Sequence, residues 1–147
     1  MKLKLVYAVA VVAAGLFAAL TPAEAHHSFS AEYENTKMTI RGKFVKMDWV
    51  NPHSWVHIEV TGADGKKTIW KGETPPPNGL YRNGWKRDTL KEGEMIEISG
   101  NPAKDGTPHM WASSVQLLDR PKDAKGKAPT MGFGSRPPGE GPTPDSK

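Results

Sequence analysis

Five histidines stand in a chain that has no cysteine: His26, His27, His53, His57 and His109. Without thiolates, a metal would be held by nitrogen and oxygen. All-nitrogen, open-sided ligation suits Cu(II), which also tops the affinity order of the divalent ions. His26 matters most if it is the first residue of the working protein. A free N-terminal histidine offers its α-amine and its ring Nδ1 to one ion, and a third imidazole nitrogen completes a T, the arrangement called a histidine brace. His27 is next in sequence and points away unless the chain folds back. His53 and His57 lie about 13 Å apart when extended, at roughly 3.3 Å per residue, so one ion takes only one of them. His109 adjoins a turn and has no fixed place relative to the others. His53 is the expected third nitrogen, with His57 second. The plain alternative is that His26 and His27 only begin a flexible arm.

Whether His26 leads the chain depends on what precedes it. Lys2 and Lys4 give a positive start, Leu5 to Leu20 is an uncharged apolar run, and Thr21-Pro22 leads into the small-x-small triplet Ala23-Glu24-Ala25. This is the layout of a secretory signal peptide, with cleavage expected after Ala25. A spanning helix needs about 20 apolar residues, more than this run supplies before its helix breaker, so no membrane insertion is expected after cleavage. The expected location is a bacterial periplasm.

Removal of residues 1–25 leaves enough chain for one domain. Asp119 to Lys147 holds six Pro and five Gly, with Met131 and Phe133 as its large apolar side chains. Such a segment buries too little apolar surface to offset the entropy of ordering it, so 119–147 is expected to be a disordered tail. The expected layout is an N-terminal arm over 26–35 and a folded domain over 36–118. Between His26 and Leu118 there are 12 basic and 11 acidic residues, interspersed. That balance argues against nucleic acid, which calls for a basic stripe on the domain itself. A monomer is expected.

The domain reads as short strands. In 38–50 the apolar positions Met38, Ile40 and Phe44 shift phase to Val45, Met47 and Trp49, which predicts a bulge where a strand turns a barrel corner. Residues 54–60 alternate, with Val56, Ile58 and Val60 inward, and 67–73 form a hairpin with them. Further strands are expected at 94–100 and at 110–118, the latter with Trp111, Val115 and Leu117 on one face. A helix of one or two turns fits in 75–85, after the prolines and before Gly84. Three strands, a helix and two strands is the order of a five-stranded OB-like barrel, an all-β fold. A small open β-sandwich is the competing architecture.

If Val56, Ile58 and Val60 face inward, Trp55, His57 and Glu59 face outward, on the strands that carry ligands in OB barrels. Trp55, Glu59, Trp70, Tyr81 and Trp85 form the candidate ligand-binding set for a small organic molecule, a sugar or a partner protein, a reading that needs no metal. The plain alternative is that an arm or tail covers Trp55 and that single tryptophans, Trp49 and Trp111 above all, pack in the core.

Four strings, "AHHSFSAEY" at 25–33, "WVNPHSWVHIEV" at 49–60, "NGLYRNGWKRDTLKEG" at 78–93 and "GNPAKDGT" at 100–107, resemble an exported bacterial family known as domain of unknown function 6152. The resemblance runs from the signal-peptide junction to about Asp119. It implies export and the domain limits, and it carries no activity with it.

Enzyme signatures are absent: no Gly-x-Ser-x-Gly, no His-Glu-x-x-His and no phosphate loop. Oxygen chemistry at a brace copper is the one route to catalysis that remains, and the balance lies against an enzyme. The expectation is a small periplasmic binding protein, with copper as its sharpest ligand candidate and a small molecule or a periplasmic protein as the other possible partner.

Overall fold

The computed structural model describes residues 29–134. The order is α1 (Phe29–Glu32), β1 (Met38–Asp48), β2 (Ser54–Thr61), β3 (Lys67–Thr74), α2 (Pro77–Arg82), β4 (Met95–Pro102), β5 (His109–Leu117) and β6 (Thr130–Gly132). The strands pair in the order β3-β2-β1-β4-β5-β6, and a parallel pairing of β3 with β5 closes five of them into a barrel. The OB-like barrel is thus the architecture, with its short helix between β3 and β4 as expected. Pro77 opens that helix, where a missing N–H costs nothing, and Gly84, at φ +81, turns the chain away after it.

Two bulges set the shape. β1 slips against β2 between Phe44 and Lys46, at the predicted phase shift, so Ile40 and Phe44 reach the core before the break. The second bulge was not legible. β5 slips against β4 between Ser99 and Gly100, with Ser113 as its extra residue. Met110 and Ala112 therefore face inward before the slip, and Val115 and Leu117 after it. Trp111 consequently does not share a face with Val115 and Leu117 as expected; it lies on the outside of the barrel. Gly100 permits the slip, because a Cβ there would overlap the Trp111 carbonyl.

The tail expectation is corrected over 119–134. β5 splits its edge: His109–Trp111 pair with β3, while Ser114–Gln116 pair with β6. β3 leaves for α2 after Thr74, which opens a seam, and β6 fills it. Phe133 N donates to Ser113 O at 3.0 Å and Leu117 N to Pro129 O at 2.8 Å, so the pairing extends past the strand ends. Phe133 is fully buried and stacks on Trp85 at 4.6 Å. One aromatic side chain outweighs the Pro/Gly composition because it completes a core that would otherwise be open. Residues 135–147 lie outside the described residues.

The arm is corrected in the same sense. Tyr33 is buried and bridges to Ala103, Glu34 N donates to Pro102 O at 2.9 Å, and Lys104 N donates to Glu32 O at 2.9 Å. Residues 29–34 therefore belong to the folded unit.

Phe133→Ala removes a fully buried ring and is expected to cost roughly 3–5 kcal/mol. Urea unfolding should show a lower midpoint with an unchanged slope; an unchanged midpoint would mean that the β6 segment adds nothing to the core.

Candidate functional site

By the period of two, the outward row of β2 carries Trp55 and His57, that of β3 carries Lys71 and Glu73, and that of β5 carries His109 and Trp111. The register lines them up: Trp55 with Glu73, Glu73 with Trp111, and Lys71 with both His57 and His109. His53 stands just before β2 on the same side. Phe29 and Tyr33 from the arm cover this face. Phe29 meets Trp111 edge-on at 5.9 Å, and Tyr33 meets Trp111 at 5.9 Å and His109 at 5.5 Å. Tyr33 and Trp111 are buried by this cover, outside the barrel's own core.

At the centre is Glu73, only 6% exposed. A carboxylate withdrawn from water needs donors, and two elements supply them. Tyr33 Oη donates to Glu73 Oε2, and His53 Nδ1 pairs with Oε1. Burial first, then the hydrogen bond and charge of Glu73, hold the Tyr33 phenol far above its ordinary range, so it stays a neutral donor. Because Glu73 accepts at Nδ1, the His53 lone pair sits on Nε2, and the ring is 41% exposed. Trp111 contacts the same ring edge-on at 5.6 Å.

His57 is set the other way. Its Nε2 lies 2.8 Å from Asp48 Oδ2, and Lys46 Nζ donates to the same carboxylate at 2.9 Å. Lys46 and His57 hold the Asp48 pKa below its ordinary value. Asp48 is thus an acceptor, and His57 spends its Nε2–H on it. Of the expected metal ligands, His53 presents Nε2, His57 does not, and His26 lies outside the described residues, as does His27. Among the described residues, no group of three His, Asp or Glu side chains is placed to hold a metal ion.

The expected aromatic set does not converge. Trp85 is corrected outright: it is buried in the core, and its Nε1 donates to Gly132 O at 2.8 Å, so no ligand reaches it. Trp70 packs against the core, and Glu59 pairs with Lys67 at 2.9 Å. Tyr81 is exposed but stacks on Trp49 at 5.2 Å, whose ring also lies under Arg87. Trp55 alone of the set borders the covered face, 6.4 Å from His109. Sequence reasoning assigned none of Glu73, Tyr33 and Trp111 to a site, since spacing alone cannot pair Glu73 with a partner. Glu73 carried half a signal: the period of two put it on the outer face, but only the β2–β3 register sets it opposite Trp55.

Fold and site together define a small OB-like barrel whose β2–β3–β5 face is covered by its own N-terminal arm over a buried carboxylate. A family model matches residues 13–112, and the chain belongs to that family, described as a family of unknown function (DUF6152). No curated protein matches the chain.

Burial depresses the His57 pKa below its ordinary 6.5, outweighing the pull of Asp48. The unfolded chain therefore binds this proton at higher pH than the folded chain does. Stability from neutral His57 is complete above pH 6.5 and falls with pH down to the lowered folded value. Urea midpoints taken from pH 7.5 to 5 should decline, and His57→Gln should flatten that stretch of the curve. An unchanged slope in the variant would assign the titration elsewhere.

Proposed function

We propose that this protein is an exported, periplasmic small binding protein that holds Cu(II) through the amine and ring of His26, as mature N-terminus, and through Nε2 of His53. The observation that carries this reading is the Glu73 carboxylate on His53 Nδ1. Metal-ligating histidines commonly give their second ring nitrogen to a carboxylate, which fixes the tautomer and raises the basicity of the other nitrogen. Glu73 also takes Tyr33 Oη, so the residue that orients His53 anchors the segment that follows His26.

Reach supports it. Phe29 and His53 both pack on the Trp111 ring. His26 precedes Phe29 by three residues, a span of roughly 10 Å at about 3.3–3.6 Å per residue. That is enough to bring a terminal chelate to His53. His53 is the imidazole of the described face whose Nδ1 meets a carboxylate directly, and in this reading the terminus supplies the other nitrogens.

The correctly processed protein should bind one Cu(II) with three nitrogens by paramagnetic resonance. Affinity should rise with pH as the amine, with a free pKa of about 7.7–8.0, loses its proton. One added residue before His26 should abolish the chelate. His53→Ala should weaken binding, and Glu73→Gln should weaken it about 10–100-fold. Equal affinity with and without the added residue in a chelator competition would end the brace reading.

A further inference from the structure

A groove of about 340 Å³ runs beside the covered face, walled by Trp55, Ile69 and Pro108, with Lys71, Glu32 and His109 at its rim. It falls within the size range of small-molecule sites. Larger hollows of about 730 and 480 Å³ have charged linings and no aromatic wall.

The rim histidine is held in one tautomer. Thr107 Oγ1 donates to Asp105 Oδ1 at 2.6 Å and lies 2.6 Å from His109 Nδ1. Asp105 is kept below its ordinary pKa chiefly by the Thr107 hydroxyl, so it is an acceptor with no proton of its own. The single Thr107 proton goes to Asp105, and its oxygen accepts Nδ1–H from His109. The lone pair of His109 is thereby on Nε2, the nitrogen 3.9 Å from Glu32 Oε1.

We infer that this groove binds the ring of a neutral carbohydrate, with Trp55 as the platform and His109 Nε2 and Glu32 as hydroxyl acceptors. The mixture of groups selects this class. An aromatic platform beside exposed Ile69 suits the C–H face of a sugar ring. Two acceptors and the Lys71 ammonium suit hydroxyls, which both donate and accept. An anionic ring would meet Glu32, and an organic cation would meet Lys71. The inference does not involve His26 and stands apart from the copper reading.

The test is a titration of the metal-free, ¹⁵N-labelled exported chain with cellobiose, maltose and methyl β-galactoside, followed by proton–nitrogen correlation spectra. At least one sugar should shift the Trp55 indole N–H and the Lys71 and His109 amides saturably. Trp55→Ala should weaken that binding about tenfold or more, with its melting transition recorded as a folding control. Thr107 is a positioning residue. Long-range nitrogen spectra should show Nδ1–H on His109, and Thr107→Val should mix the tautomers and weaken the sugar about threefold to tenfold. No saturable shift with any sugar, unchanged binding in Trp55→Ala, or saturation of the same residues by benzoate or choline alone would overturn the inference. An N-terminally extended chain that binds sugar but not copper would separate the two readings.

Discussion

A carboxylate removed from water is costly unless donors surround it, and Glu73 imposes that requirement on three separate parts of the chain. β3 carries it outward, the turn before β2 brings His53 to one oxygen, and the arm brings Tyr33 to the other. Trp111 and Phe29 then close over the cluster. Removing any one donor leaves the remainder buried around an unsatisfied charge, so the arm is held by an electrostatic need as much as by packing. The outer face of a barrel this small is thereby given an interior of its own, separate from the apolar core.

The histidines illustrate how second partners sort chemically identical side chains. His57 gives its Nε2–H to Asp48 and becomes a structural link between β1 and β2. His53 and His109 give Nδ1–H to Glu73 and to the Asp105–Thr107 pair, which leaves Nε2 as the basic nitrogen on each. Sequence spacing ranks His53 before His57 and gives His109 no fixed place, but it does not show which nitrogen each ring leaves free. What separates them is which acceptor stands across the strand or two residues upstream.

The barrel was legible because its signals were local: alternation in β2, the phase shift at Val45, and the prolines and Gly84 around α2. The predicted bulge in β1 appears where the pattern broke. The bulge in β5 left no such trace, because Ser113 and Ser114 are both small and polar, so Trp111 was assigned to the wrong face. Trp85 was misread for a related reason. Nothing near it in sequence reveals that Phe133, 48 positions on, stacks over it. The site was legible in part: the outward row of β2 pointed to the right face, while its cover came from an arm and its centre from a glutamate that only pairing register could place.

The seam strand has a consequence for the order in which the molecule is completed. The strands β1 to β5 end at Leu117, yet the stack on Trp85 comes from residue 133. A chain emerging from its N-terminus has all five barrel strands before it has the ring that seals them. Until then Trp85 faces an open gap beside β5 with an unpaired edge over Ser114–Gln116. The last described stretch thus acts as a latch, and a chain stopped just short of it would carry a closed five-strand barrel with one open edge and an unfinished core.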